Sequence, residues 1–221
     1  MADPLKELIA SANEGEQPSP FGKMEIIVPG SPASVQSGKS IKEAYVRSIE
    51  EKCGNLEFLL TGDLILNITW LLPTKSRYET DAKADIDNCI KPIIDAFTGP
   101  KGLFIDDCQL QGLYICWRQI TSSDERLIFE LEFKPDDFIR KSDIAFVRLE
   151  KGLCTPVNLN WPRMVRVEWD SYLKRAEAAK DVLERLDVPY PLIAGFLGNS
   201  RPFHITRVRG FKVVTTEEFI S

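Results

Sequence analysis

The sequence predicts an α+β protein, with one domain over residues 24–134 and a small α+β extension over 135–221. Three observations carry this. Short runs rich in Ile, Leu, Phe and Trp at 24–28 (MEIIV), 63–72 (DLILNITWLL), 109–118 (QLQGLYICWR) and 127–134 (LIFELEFK) read as strands. Between them, apolar residues at helical spacing mark two helices. Beyond residue 134 a second mixture of strand-like and helix-like patterns begins, and no internal repeat links the two halves.

Residues 1–23 are expected to be a largely mobile tail, with a short helical piece over 4–12 and then clustered Gly, Pro and Ser. The strand at 24–28 is stopped by Pro29-Gly30, and SPASVQSGKS is a loop. A helix over about 39–52 places Ile41, Ala44, Tyr45 and Ile49 on one face. The loop PTKSRYETDAKA follows the strand at 63–72. The next helix is expected to begin near Asp87 or Asn88, both good N-caps, with Pro92 tolerated in its first turn. Ile90, Ile94 and Phe97 form its stripe, and Gly99-Pro100 stops it. Asp106-Asp107 makes a turn. The strands at 109–118 and 127–134, joined by TSSDE, are expected to form a closing hairpin. In the extension, DIAFVRLEKGLC, RMVRVEW and FHITRVRGFKVV read as strand-like. Asp170 or Ser171 is expected to cap a helix whose face is Tyr172, Ala176, Ala179, Val182, Leu183 and Leu186.

Composition narrows the function classes. The 221 residues are 43% hydrophobic, enough for one full core and a second small one. No run of about 18 apolar residues occurs, so no membrane-spanning helix is expected. The N-terminus lacks the basic start and apolar stretch of a signal peptide. The five cysteines (53, 89, 108, 116 and 154) are odd in number and lack paired spacing, so reduced thiols in a cytoplasmic protein are expected. The net charge of −5 weighs against nucleic-acid binding, but it is unevenly spread. Residues 1–134 carry −7 (14 Lys and Arg against 21 Asp and Glu), and residues 135–221 carry +2 (14 against 12). Five of these 21 acidic residues lie in 84–107 and four in the N-terminal tail, and carboxylates that hold a metal are neutralised by it.

That stretch, ADIDNCIKPIIDAFTGPKGLFIDD, holds the chemistry. Asp85 and Asp87 share a face if the chain stays extended between them. From Asp87 a helix would carry Lys91 and Asp95 along one side. Asp106-Asp107 returns after a short apolar segment. A hard cation such as Mg²⁺ takes one or two carboxylates, waters and a substrate phosphate. A lysine beside it would contact the phosphate or the developing charge. Singly, each feature is ordinary: Asp-x-Asp is common surface charge, Asp-Asp a normal turn, and Lys91 a helical partner for Asp87 or Asp95. The joint order is what distinguishes the segment.

That order resembles the core of the RusA family of Holliday junction resolvases, which reads roughly D-x-D-N-x-x-K-x-x-x-D-x-L, a loop, then D-D. Here it stands as Asp85-Ile86-Asp87-Asn88, Lys91, Asp95, Phe97 and Asp106-Asp107, with Phe97 in place of Leu. The resemblance covers about 24–134 and implies a mixed sheet with flanking helices. It implies Asp85, Asp87 and Asp107 as metal ligands, with Asp106 an additional one, and Lys91 as the catalytic lysine. It further implies Mg²⁺, replaceable by Mn²⁺, and a homodimer whose two sites cut opposed strands of a four-way DNA junction. The alternatives are a catalytically silent domain that binds DNA or protein, and a nuclease for other branched or flap DNA. Residues 135–221 have no counterpart in compact family members; DNA binding, a protein partner or modification of the dimer are open to them.

The remaining candidates are weaker. Lys39, Lys75, Arg77 and Lys83 are the basic residues near the acidic segment, and Arg207 and Arg209 would share one face of a strand at 203–214. A solvated, charged edge strand is the more ordinary reading of the latter pair. The single histidine, His204, excludes a multi-histidine metal centre. Trp117, Trp161 and Trp169 could stack on bases, with burial the commoner fate.

Overall fold

A computed structural model describes residues 15–80, 83–194 and 201–221, and the chain divides into two compact units after Ser142. The helical piece expected at 4–12 lies outside the described residues.

The first unit is a four-stranded mixed sheet with helices on one face. In chain order it contains β1 (Lys23–Pro29), α1 (Lys39–Gly54), β2 (Phe58–Leu60), β3 (Leu64–Pro73), α2 (Thr74–Tyr78), α3 (Ile86–Phe97), β4 (Leu110–Ile120), β5 (Arg126–Phe133) and β6 (Phe138–Arg140). The sheet order is β1-β5-β3-β4. β3 and β4 are parallel, and a parallel pair needs a crossover, which α3 supplies. The alternating strand pattern sends Ile26, Val28, Leu66, Ile68, Trp70, Leu127, Phe129 and Leu131 into one core, where they meet Tyr45, Ile49 and Cys53 of α1 and Cys89, Ile93 and Phe97 of α3.

The expected hairpin does not form. β5 runs antiparallel to β4 but pairs with β1 and β3 on either side, so the 121–125 connection steps over the end of β3. The reason lies in burial. β5 buries Leu127, Phe129 and Leu131 completely, which suits a central strand, whereas β4 leaves Leu113 and Tyr114 exposed and takes an edge.

Three boundaries also move. Residues 15–22 are docked: Glu57 N–H donates to the Gly15 carbonyl at 2.8 Å and Phe133 N–H to that of Gly22 at 2.9 Å. The unit runs on to Ser142, because β6 pairs antiparallel with β2 and Lys141 N–H donates to the Glu57 carbonyl at 2.7 Å. The loop after β3 contains the short helix α2, which buries no residue and so left no periodic signal. Tyr45, Ile49 and Cys53 line the inner side of α1, while Ile41 is exposed.

The second unit contains β7 (Ile144–Arg148), β8 (Leu153–Asn158), α4 (Arg163–Arg185), α5 (Tyr190–Ala194), β9 (Phe203–His204), β10 (Val213–Val214) and α6 (Thr216–Ile220), with sheet order β10-β7-β8-β9. RMVRVEW is not a strand. It is the start of α4, which begins after Pro162 rather than at Asp170. Arg166 explains the choice: its guanidinium donates to the carbonyls of Leu159, Trp161 and Phe219, an anchor that helical spacing combines with packing of Trp169 against Phe219. Trp161 and Trp169 are half-buried and pack around Phe219, against the second unit's core. The face expected to be buried is not: of it only Ala176 is buried, and Tyr172, Val182 and Leu186 are exposed. The 203–214 segment is strand only at its two ends, with a 3₁₀ turn over Ile205–Arg207.

All five cysteines are free thiols. Cys53 is sealed in the first core, and burial pushes its thiol up to about 11, with the Glu50 charge adding to this and Lys141 opposing it. Two outcomes follow. In the native protein at pH 8.5, iodoacetamide should label Cys108 and Cys116 while Cys53 reacts only on unfolding, read by mass spectrometry. The stabilising contribution of the protonated Cys53 thiol is full below about pH 9 and fades as pH rises towards 11, so the urea midpoint should fall across that window, less steeply in Cys53→Ala.

Candidate active site

The acidic segment begins where α3 begins. Asp85 is the N-cap, in extended conformation, and its side chain makes no capping hydrogen bond. Asp87 is already helical, in the first turn. The two are therefore not alternate residues of one strand. Both are nevertheless felt at the same atom: burial first, then the charges of Asp87 and Asp85, push the Cys89 thiol up to about 11.

Pro92 lies well inside α3 rather than in its first turn. It cannot donate to the Asn88 carbonyl four residues earlier. Val35 N–H donates to that carbonyl instead, at 2.8 Å, and Lys42 Nζ donates to the Val35 carbonyl at 2.6 Å. The proline thus creates the acceptor that fastens the 31–38 loop beside Asp87.

Lys91 projects from α3 towards two carboxylates. Its Nζ lies 2.5 Å from Asp95 Oδ1 and 3.4 Å from Asp107 Oδ2. The hydrogen bond to Asp95 raises its pKa against the opposing effect of desolvation, and the charges of Asp95 and Asp107 add to the rise. Lys91 is thus an ammonium over the working pH range and can serve as a cation, not as a general base.

Asp107 is held by an unexpected residue. Gln109 is fully buried, and its side chain makes four hydrogen bonds to backbone. Oε1 accepts from Ile105 N–H at 2.7 Å and from Asp106 N–H at 3.1 Å; Nε2 donates to the Leu60 carbonyl at 3.0 Å and the Gly62 carbonyl at 2.7 Å. Asp106 accepts from Cys108 N–H at 3.0 Å and completes a capping box with Gln109 around a 3₁₀ turn over Asp107–Gln109. The Asp-Asp turn is therefore clamped to β2 and its following loop. The D-x-x-Q spacing of Asp106 and Gln109 is the sequence signal of this capping box.

A second unexpected hub lies at the other end of the sheet. Glu125 accepts from Lys83 Nζ at 2.5 Å, Trp70 Nε1 at 2.9 Å and Ser31 Oγ at 2.7 Å. The Lys83 and Glu125 side chains are only 20% and 13% exposed. Lys83, one of the residues expected to meet DNA, is thus turned inward, where it fixes the approach to Asp85. Removing Glu125 strands this ammonium, and Glu125→Ala should cost about 2–4 kcal/mol, read by urea unfolding. Lys39 and Lys75 remain exposed, each beside a glutamate one helical turn on. Arg77 lies over the Trp117 ring, 5.2 Å from its centroid, with Tyr78 at the ring edge. Arg207 and Arg209 are exposed, but Arg207 ends a 3₁₀ turn and Arg209 lies in the turn that follows, so strand alternation does not align them.

The donor set suits a hard cation, since Asp85, Asp87 and Asp107 offer only carboxylate oxygens. Among the described residues, however, no three Asp, Glu, His or Cys side chains are gathered closely enough to hold a metal ion. Among the described residues no helix is long and apolar enough to cross a membrane.

In a comparison with known families, the family model described as endodeoxyribonuclease RusA matches residues 35–132, which spans the whole acidic segment. No curated protein matches the chain.

Proposed function

We propose, for a chain that belongs to the RusA endodeoxyribonuclease family through residues 35–132, a Mg²⁺-dependent nuclease that resolves four-way DNA junctions. Mn²⁺ can substitute for Mg²⁺. Two copies, each with one site, would cut opposed strands and leave 5′-phosphate and 3′-hydroxyl ends. The observation that carries this reading is the placement of Lys91 between Asp95 and Asp107, on the helix whose N-cap is Asp85 and whose first turn carries Asp87.

Asp85, Asp87 and Asp107 would hold the ion, which supplies charge neutralisation at the phosphate and a water of lowered pKa. That no three-carboxylate cage stands ready among the described residues is compatible with this, because Mg²⁺ commonly takes one or two carboxylates and completes its shell with water and substrate phosphate. Lys91 would donate to a phosphate oxygen as charge builds there, and Asp95 would aim it. Asp106 is engaged in the turn and would act by orienting Asp107. Exposed Lys39 and Lys75, with Arg77 beside Trp117 and Tyr78, would meet the DNA backbone, as would Arg207 and Arg209. Residues 143–221 would add a protein contact through the exposed face of α4.

A two-part experiment tests this. Thermal melting with millimolar Mn²⁺ against EDTA should show stabilisation in the wild type and none in an Asp85→Asn/Asp107→Asn variant. Cleavage of four-way junction, flap and duplex at equal concentration should favour the junction. Preference for flaps would keep the site and change the substrate. No stabilisation and no cutting, with junction binding retained, would support the silent binding module instead.

A further inference from the structure

The connection from β3 to α3 carries an aromatic residue that is held in place although it is not buried. Tyr78 is 65% exposed. Its ring stands T-shaped against Trp117, with centroids 6.2 Å apart, and its hydroxyl accepts from Gln119 Nε2 at 2.5 Å. The half-buried Arg77 lies over the Trp117 ring. Trp117 is itself packed against the first core. Trp117 and Gln119 are alternate residues of β4 and so share one side of the sheet. It is the side on which Trp70, the cross-strand partner of Trp117, is buried.

A lone exposed tyrosine is ordinary on a protein surface. This one is fixed on two sides, on a helix that buries no residue and so adds nothing to the core. What α2 presents is a flat ring with cations beside it, Lys75 and Arg77. Lys75 faces Glu79 at 4.0 Å in open solvent, a pairing too weak to hold it back from a stronger anion. A rigid aromatic face with cations around it matches a nucleotide, whose base stacks and whose phosphate is paired. Holding the ring in advance removes the entropy cost of ordering it on binding. The position fits as well. β3 and β4 are parallel, with Pro73 opposite Ile120, and α2 follows β3 directly. Ligands of open sheets gather beyond the carboxyl ends of parallel strands. Asp85 lies seven residues on from Tyr78, at most about 25 Å of extended chain, which is about seven nucleotide steps of ~3.4 Å.

We propose that Tyr78, braced by Trp117 and Gln119 and flanked by Arg77 and Lys75, stacks on a nucleobase at the branch point of a DNA substrate. In continuous duplex both faces of every base pair are covered by its neighbours, so the ring finds a free base only where stacking is interrupted. Contacts from cations to phosphate position the DNA and do not discriminate. The ring adds affinity for interrupted DNA alone, which makes Tyr78 a specificity-determining residue for branched over continuous substrates. The inference rests on the DNA-cleaving reading above, yet it is separable from it, because stacking needs neither the metal nor Lys91.

The test uses the full chain in EDTA, so that binding is read without cleavage. Fluorescence anisotropy gives the affinity for a four-way junction and for a duplex of equal length. Tyr78→Ala should lower the ratio of junction to duplex affinity about 5- to 150-fold, whereas Tyr78→Phe keeps the ring and should keep most of the ratio. Lys75→Ala should weaken both DNAs alike, as a phosphate contact does. Independently of any variant, 5-iododeoxyuridine placed in turn at each position within seven of the branch point should photo-cross-link to Tyr78, identified by mass spectrometry. Equal wild-type affinity for the two DNAs, a ratio unchanged in Tyr78→Ala, equal weakening of both DNAs by that variant, or cross-links only to other residues would each overturn the stacking site. Mn²⁺-dependent junction cleavage that persists beside any of these would leave the nuclease reading standing. A wild type that binds neither DNA would overturn both.

Discussion

An Asp87→Asn variant is expected to keep its fold and to lose junction cleavage by a factor of about 10³ or more. Asp87 is exposed on the first turn of α3, and the change preserves shape while removing one charge. The stability cost is limited to a carboxylate near a helix N-terminus, about 0.3–1 kcal/mol. A thousandfold loss is about 4 kcal/mol of transition-state stabilisation. It falls on one residue because a hard cation takes few protein ligands, so each carboxylate matters. Single-turnover cleavage and a thermal melt on the same preparation separate the two effects. Asp95→Asn acts only through Lys91 and should lose less, about tenfold to a hundredfold. If Asp87→Asn cuts as fast as the wild type, the site has been misassigned.

Gln109→Leu should be the most destabilising polar-to-apolar exchange in the first unit, at about 3–5 kcal/mol. The side chain is fully buried and answers two backbone N–H groups and two carbonyls. Leucine keeps most of the volume and none of the hydrogen bonds, so four backbone groups lose their side-chain partner. Each buried group left unsatisfied costs about 1–3 kcal/mol; partial access of water keeps the sum below the maximum. The urea midpoint reads this loss. Because Gln109 also holds the turn that presents Asp107, cleavage by the folded fraction should fall too, with a weaker response to metal concentration. A variant as stable as the wild type would mean that water replaces the glutamine entirely.

The strand and helix identities of the first unit were legible because their apolar periods are strong: β1, β3, β4, β5, α1 and α3 all lie within a few residues of expectation. Gly99 ends α3 in a left-handed conformation that glycine adopts freely, which the Gly-Pro signal announced. What the sequence did not reveal was adjacency. TSSDE signals a chain reversal, and β5 does reverse, but only the deeper burial of its core face decides that it enters between β1 and β3. RMVRVEW alternates like a strand, yet Arg166 and Trp169 are used at helical spacing. The same limit applies to the site. The acids and Lys91 are local in sequence, and the expected proximity of Lys91 to Asp95 follows from one helical turn. The Gln109 clamp bonds to residues almost 50 positions away and the Lys83–Glu125 pair spans 42, so local spacing could not foretell either.

The central claim is that the carboxylates around α3 make a metal-dependent junction nuclease. The most direct measurement is cleavage of a four-way junction labelled on each strand in turn, with Mg²⁺ or EDTA, by the wild type and Asp87→Asn. Paired nicks in opposed strands, dependent on Mg²⁺ and absent in the variant, are the expected result. Tight junction binding with no metal-dependent nick in any strand would contradict it.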